Sequence, residues 1–231
     1  SALQDLPDYV MVVDHHQPRF EGELHVNPHL AGIDGDRNLS AAGAAYLVAR
    51  KMGDNRDLAG LTLLGIIGDG QVIEGPNREI TNEGIANGFI TPGRGLLLVG
   101  RGLVEQIALS IDPYLPGLSG EPDAARTLVA AVTGEDEVDM ETLLSRIVLK
   151  AAREASVTAL CSLWGTTYSL GREVIDGAGD LTAVVDACGK AGKGDIGASL
   201  CLRSSHALQE AREITARYRQ SVITGVREAR R

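Results

Sequence analysis

The chain has 231 residues, 44% of them hydrophobic and 23% charged, which is typical of a globular protein with one large domain or two small ones. The formal net charge of −9 counts against a broad surface for nucleic-acid phosphates, but not against a small site where metal ions supply positive charge. Three widely spaced cysteines favour a reducing, cytoplasmic setting over a disulfide framework, and no apolar run is long enough to cross a membrane.

The first predicted element is a strand at residues 9–13, a short apolar run rich in β-branched residues. Such a run is typical of a strand buried on both faces of a parallel sheet. It ends in Asp14-His15-His16, and ligands of open α/β sheets bind beyond the carboxyl ends of the strands. A second strand is predicted at residues 23–26, where Asn27-Pro28 stops it.

Helices are predicted next. Ser40 is a candidate N-cap for a helix that runs to Met52 and stops at Gly53. A largely buried helix is predicted at residues 56–67, where apolar residues recur every three positions, and a third at residues 77–87. The glycine-rich stretch 88–102 predicts turns around a short apolar segment.

The second half is predicted to be mainly helical. Helices are expected at residues 122–132 and 140–155, a strand is possible at 196–202, and a long amphipathic helix runs from Ser204 or Ser205 to the end. The proline-containing loop 112–117 is the candidate domain boundary. The basic last helix most simply presents a solvated face, with nucleic-acid contact as the alternative.

The Asp14-His15-His16 triplet and Asp69, which lies between two glycines, together offer nitrogen and oxygen ligands. This mixture suits Mn²⁺, Zn²⁺ or Fe²⁺. The helix opened by Ser40 would present free N–H groups to a phosphate. Adjacent histidines also occur in polar loops that bind nothing, and we interpret the remaining histidines as residues without a site role: His25, His29 and His206.

Several segments resemble, in order, the DHH phosphoesterases in the form seen in archaeal RecJ-like nucleases. The first, Val12-Val13-Asp14-His15-His16-Gln17-Pro18, resembles the family's third motif, and Gly65-Ile66-Ile67-Gly68-Asp69 resembles the fourth. Further similar segments are Leu24-His25-Val26-Asn27-Pro28, Ser40-Ala41-Ala42-Gly43, Asn77-Arg78-Glu79-Ile80, Asp112-Pro113-Tyr114-Leu115-Pro116-Gly117-Leu118 and Asp186-Ala187-Cys188-Gly189-Lys190. A DHH triplet alone is a weak motif, whereas several motifs in order are specific. The resemblance implies an α/β fold: part of a DHH-type parallel-sheet domain at residues 1–115, then a mainly helical or α/β region at 116–231.

The resemblance also implies roles for individual residues. His15 and Asp69 are expected to bind metal directly, and His16 is expected to face the scissile phosphate. Asp14 would bind metal or, as we favour, orient His15 from behind. Asn27 and Ser40 are weaker candidates for a phosphate pocket. The implied cofactor is Mn²⁺ or Mg²⁺, with two ions in the complete site.

Two departures from the family pattern concern missing motifs. The family's Asp-x-Asp motif and the metal-bridging aspartate of its second motif precede the DHH triplet, and its glycine-rich substrate motif follows the segments matched here. None of these motifs is found in the 231 residues. We therefore expect the chain to be an internal piece of a longer protein that holds about half of the metal ligands.

Three functions stay open at this point. The first is a nuclease that acts on single-stranded DNA or RNA, which the specific resemblance favours. The second is a phosphodiesterase for short oligonucleotides or dinucleotides, which the acidic charge mildly favours. The third is a non-catalytic scaffold that binds the GINS complex and the replicative helicase, although the intact triplet and Asp69 count against it. Self-association through the edge of the first strand is also expected.

Overall fold

The computed structural model describes residues 10–134 and 138–230. The chain forms two compact units, the first made of residues 1–91 and 169–178, the second of residues 92–168 and 179–231. The domain boundary predicted at residue 115 falls inside the second unit, and the side chains of Leu115 and Leu118 on either side of Pro116 are fully buried.

Two short strands of the first unit lie side by side. Strand β1, Val12–Val13, pairs in parallel with β2, His25–Val26. The pairing extends by one hydrogen bond at each end, from Val12 N–H to Leu24 O (2.8 Å) and from Asp14 N–H to Val26 O (3.1 Å). The predicted parallel strand is thus confirmed at Val12 and Val13, while Tyr9 lies outside the described residues. Burial of the run on both faces is not observed, because Met11 is 49% exposed.

Three helices complete the core of the first unit. They are α1, Ala41–Met52; α2, Ala59–Gly68, preceded by a 3-10 turn at Arg56–Leu58; and α3, Gly75–Ala86. Helix α2 packs against both of the others and buries Leu63 and Ile66. A Cβ on Gly65 would come within 2.7 Å of Ser40 Oγ, so this glycine lets α2 approach the start of α1 closely. The predicted helices at 40–52 and 56–67 are confirmed.

The second unit combines a two-stranded sheet with helices. Strand β3 pairs with β4, and the core beside them is built from leucine, isoleucine and alanine side chains, with Ile107, Leu143 and Ile147 fully buried. In chain order the elements are β3 Thr91–Leu96, α4 Leu103–Ala108, α5 Pro122–Ala130, α6 Met140–Ala151, α7 Val157–Cys161, β4 Trp164–Ser169, α8 Ala178–Lys190, α9 Gly194–Cys201 and α10 Leu208–Ala229.

The mixture of helix and strand predicted for the chain is confirmed, with small sheets. The strand proposed at residues 196–202 is wrong, because this segment belongs to helix α9. Ile196 and Leu200, four residues apart, are both buried and therefore share one helical face. The long last helix is confirmed as α10, and His206 lies in the 3-10 turn before it. Each described helix is too short or too polar to span a bilayer.

Candidate functional site

The Asp14-His15-His16 triplet directly follows β1, and Asn27 directly follows the neighbouring strand β2. Asn27 connects the two strand ends, since its Nδ2 donates to His16 O (2.9 Å) and its Oδ1 accepts from His29 N–H (3.0 Å). The side chain is buried and caps the 3-10 turn Pro28–Ala31. The structure thus gives Asn27 a role in holding the backbone of the triplet, and its place in a phosphate pocket stays a prediction.

A hydrogen bond at Nδ1 holds the His15 ring in one orientation. Its Nδ1 lies 2.9 Å from the carbonyl oxygen of Gly35. A carbonyl oxygen only accepts hydrogen bonds, so Nδ1 carries the proton and donates it. In the neutral ring, Nε2 then keeps its lone pair, and this atom lies 3.5 Å from Asp69 Oδ2. The two side chains expected to converge therefore do so, although they are far apart in sequence.

Asp69 is aimed by the turn that ends helix α2. Gly70 has φ +62°, its N–H donates to Ile67 O (3.2 Å), and the N–H of Gln71 donates to Ile66 O (2.9 Å). These two bonds form a Schellman motif, in which a residue in the left-handed region follows the helix. Asp69 thus places its carboxylate at the negative end of the helix, where a negative charge is unfavourable unless a cation is close.

The spacing between His15 and Asp69 suits a shared cation better than a direct hydrogen bond. At 3.5 Å, the Nε2–Oδ2 distance exceeds the 2.7–3.2 Å typical of such bonds. Ligands held about 2.1 Å from one ion stand roughly 3.0–3.5 Å apart at bond angles near 90–110°. An imidazole lone pair facing a carboxylate oxygen is also the donor set that Mn²⁺ or Zn²⁺ accepts. The residues present therefore fit a divalent cation.

Asp14 holds the ring of His16 and not the ring of His15, which corrects the orienting role that we favoured for it. Asp14 Oδ1 lies 2.8 Å from His16 Nδ1 and also accepts from the backbone N–H of His15 (2.8 Å). The orientation of the His15 ring comes instead from Gly35. The His16 side chain is 75% exposed and its ring stacks at an angle against that of His15, with centroids 4.4 Å apart.

The contact between Asp14 and His16 shifts both of their pKa values. The hydrogen bond to Asp14 and the charge of that carboxylate raise the pKa of His16, and the carboxylates of Asp69 and Asp36 add to the effect. Partial burial acts to raise the pKa of Asp14, but hydrogen bonds from His16 and the His15 N–H outweigh it and leave the pKa lowered. His16 is thus protonated over a wider pH range than an ordinary histidine.

We expect an Asp14→Asn substitution to bring the pKa of His16 down towards its ordinary value, because the amide carries no charge. The measurement is an NMR titration of the His16 ring, with Asp54→Asn as a control that removes an exposed carboxylate paired with Arg56. The same pair makes the free energy of unfolding depend on pH. The contribution of His16 is present below the pKa that this group has in the unfolded chain, and it is lost as the pH rises through the raised pKa of the folded chain. The contribution of Asp14 is lost as the pH falls through the lowered pKa of its carboxyl in the folded chain. An unchanged His16 titration in Asp14→Asn would show that the pair is not formed in solution.

Three further residues near the triplet were missed by sequence reasoning. The ligand atoms of His29, Asp34 and Asp36 all lie within 4.8 Å of one another, a group that could hold a metal ion. The carboxylates of this group flank Gly35, whose carbonyl holds His15. The available signal was Asp34-Gly35-Asp36 in a loop, soon after a histidine that we had interpreted as having no site role. Asp34 and Asp36 are exposed, and exposed acidic groups are common without a metal.

Ser40 is placed within the fold and not on an open surface. Its side chain is fully buried, and its Oγ accepts a hydrogen bond from Gly43 N–H at the start of α1 (3.1 Å). The N-cap role predicted from the sequence is confirmed. Because the buried hydroxyl has no access to solvent, this conformation does not support contact between Ser40 and a phosphate.

A Ser40→Ala variant is expected to lose about 1 kcal/mol of stability, the usual effect of removing a serine N-cap. We expect no change in its affinity for Mn²⁺. Urea unfolding measures the first quantity and a Mn²⁺ titration the second. Ser145→Ala is the control, because that exposed hydroxyl lies inside α6 and caps nothing. A large loss of Mn²⁺ affinity without a loss of stability would restore the ligand-binding role of Ser40.

Comparison with known proteins adds little to these observations. No protein-family model matches the chain. The chain is 28% identical, over 235 aligned positions that cover 95% of its length, to an uncharacterized protein of Methanocaldococcus jannaschii. It spans 52% of that relative, or about half of the relative's length. The similarity therefore extends along nearly the whole chain, through both of its units, and the relative's description states no activity.

Proposed function

We propose that this chain carries the His15 and Asp69 part of a metal-dependent phosphoesterase site, and that the protein it belongs to is a DHH-type nuclease of single-stranded DNA or RNA. One observation carries the proposal: His15 Nε2 and Asp69 Oδ2 lie 3.5 Å apart, with the opposite ring nitrogen of His15 held by Gly35 O. The resemblance of several ordered motifs to the RecJ-like group supplies the class of reaction.

His15 and Asp69 would hold Mn²⁺ or Mg²⁺. When bound, such ions lower the pKa of a water molecule and balance the charge of the phosphate. His16 would stand beside the phosphate. Its exposed ring has a raised pKa, so near neutral pH it is a better donor to a phosphate oxygen than an ordinary histidine. Asp14 would keep that ring in place.

A second candidate is a phosphodiesterase for short oligonucleotides or dinucleotides. The formal charge of −9 favours it, because a long nucleic acid is usually gripped by a basic surface. The two candidates share the same metal ligands and differ in how the rate of hydrolysis depends on substrate length. A rate that falls steeply beyond a few nucleotides would favour the small-substrate enzyme.

The proposal is tested first by metal binding to this chain. Free Mn²⁺ gives a strong electron paramagnetic resonance signal that is lost on binding, so a titration measures the affinity directly. We expect weak binding by the wild-type chain and at least a ten-fold loss of affinity in both His15→Ala and Asp69→Asn. Controls are His206→Ala, a histidine in the other unit, and Asp123→Asn, whose side chain is 94% exposed.

The outcomes of this titration separate the open functions. A loss of affinity confined to the His15 and Asp69 variants would support the metal site. Equal affinities in the wild type and in all four variants would overturn it and leave the scaffold function, with GINS and the replicative helicase as partners, as the better proposal. Circular dichroism of each variant checks that the fold is kept.

A further inference from the structure

The carbonyl oxygen of Gly35, which accepts from His15, is also bound by a second side chain. Gln71 Nε2 donates to Gly35 O (2.8 Å), which also accepts from His15 Nδ1 (2.9 Å). The two nitrogens consequently lie 3.4 Å from each other. Because Gly35 O accepts from both side chains, its direction and that of the His15 ring are fixed together.

Asn77 in turn fixes the amide of Gln71. The Asn77 side chain is fully buried, and its Nδ2 donates both to Gln71 Oε1 (2.9 Å) and to Val72 O (3.1 Å). Val72 O only accepts, so the Asn77 amide has one allowed orientation. That orientation places the oxygen of the Gln71 amide towards Asn77 and its nitrogen towards Gly35. The orientations of both side-chain amides are therefore fixed, and a continuous series of hydrogen bonds connects Asn77 through Gln71 to Gly35 O, which holds His15.

Packing alone does not explain an amide at position 77. In the described part of the chain, the buried Asn77 Oδ1 has no hydrogen-bond partner, and an unpaired buried oxygen costs stability. A buried amide that is only partly satisfied is expected where its remaining bonds matter for another group. The group at the end of this chain of bonds is the His15 ring.

We propose that Gln71 and Asn77 are positioning residues that keep His15 in its Nδ1–H form, with the Nε2 lone pair directed at Asp69. The significance of this for metal binding rests on the proposed function, whereas the tautomer is a property of the chain itself. Gln71 follows Asp69 by two residues and belongs to the same Schellman turn. One turn therefore aims the carboxylate and supports the imidazole that faces it.

The test reads the tautomer of His15 directly, in metal-free protein labelled with ¹⁵N-histidine, at a pH well above the pKa of an ordinary imidazole. Long-range ¹H–¹⁵N NMR spectra should show the Nδ1–H form of His15 in the wild type. In Gln71→Leu and in Asn77→Leu, the Gly35 carbonyl loses its second donor and can turn away from His15 Nδ1, so we expect a mixture of the two tautomers. His25 is an internal reference, since its Nδ1 donates to Phe20 O (3.1 Å) independently of Gln71.

Gln209→Leu, on the exposed face of α10, is the matched control and should leave the tautomer of His15 unchanged. If Asn77→Leu fails to fold, the result for Gln71→Leu is sufficient to test the proposal. Position 71 is only half-buried, so we expect this variant to fold. A pure Nδ1–H form in folded Gln71→Leu would overturn the proposal, and a mixture confined to His15 would support it.

A Mn²⁺ titration of the same variants tests the proposed function separately. Loss of a supporting hydrogen bond behind a metal-binding histidine typically lowers metal affinity ten- to a hundred-fold. A changed tautomer together with this loss supports both proposals. A changed tautomer with Mn²⁺ affinity equal to that of the wild type supports the positioning role and counts against the metal site.

Discussion

A Gly35→Ala substitution is expected to destabilise the chain by about 1–3 kcal/mol, the range for forcing extra volume into a packed site, and to weaken Mn²⁺ binding at least ten-fold. A Cβ at this position would overlap the carbonyl oxygen of His15 and lie 2.9 Å from both His29 Nε2 and Pro28 Cγ. The backbone of Gly35 cannot retreat freely, because its own carbonyl holds His15 and Gln71. The loop must shift, and the His15 ring must shift with it.

Urea unfolding and the Mn²⁺ titration measure the two effects of Gly35→Ala. The matched control is Gly189→Ala in α8, where a new Cβ would meet no described atom within 4 Å outside the neighbouring helix backbone. Alanine is the better helix former, so this control should be neutral or slightly stabilising. If Gly35→Ala were as stable as the control and bound Mn²⁺ like the wild type, the close packing around Gly35 would not exist in solution.

The second large effect concerns activity. We expect the 231-residue chain by itself to be nearly inactive as a nuclease, even in excess Mn²⁺. A two-metal site needs a bridging ligand and enough carboxylates to hold ions about 3.5–4 Å apart. Among the described residues, the resemblance assigns direct ligation to His15 and Asp69, and Asp14 already holds His16. One imidazole and one carboxylate bind a single ion weakly and do not orient a second.

The assay uses end-labelled single-stranded DNA and RNA with Mn²⁺, and compares the wild-type chain with His15→Ala. Both should release product at or near the background rate. Strong cleavage by the wild type that His15→Ala abolishes would contradict this expectation. It would show that the chain completes its site by itself or across a dimer, which sedimentation at the assay concentration would distinguish.

Local signals in the sequence predicted much of the first unit. Ser40 before a run of small residues and Gly53 after Met52 marked both ends of α1, because capping depends on neighbouring residues only. The end of α2 at Asp69 was marked in the same way by its glycines. The error at residues 196–202 has a physical cause. A short apolar run is compatible with either a strand or a buried helix. The four-residue spacing of Ile196 and Leu200 indicates a helix only when it is known that both side chains are buried, and the sequence alone does not show this.

The site could be predicted only in part. A triplet at a strand end and an aspartate at a helix end are recognisable patterns, so His15 and Asp69 could be expected to lie close together, as they do. The bonds of Gly35 to His15 and Gln71 join distant segments, and a glutamine, an asparagine or a loop glycine carries no local signal of such a role. The partner of Asp14 was misjudged for a similar reason. Either histidine of the triplet was within reach, and the backbone after β1 turns His16 towards it.

In the turn that orients Asp69, position 70 favours glycine because of the backbone conformation and not because a side chain would lack space. Gly70 adopts φ +62°, yet a Cβ added there would meet no atom of the described residues within 4 Å, apart from its own chain neighbours. The obstacle to an L-amino acid is therefore the left-handed backbone itself, which costs an ordinary L-residue roughly 1–2 kcal/mol and asparagine or aspartate less. A D-alanine at this position would adopt the same positive φ without strain, and its neighbours would not need to repack. The direction of the carboxylate is thus set by Gly70, an achiral residue in the left-handed position of the turn.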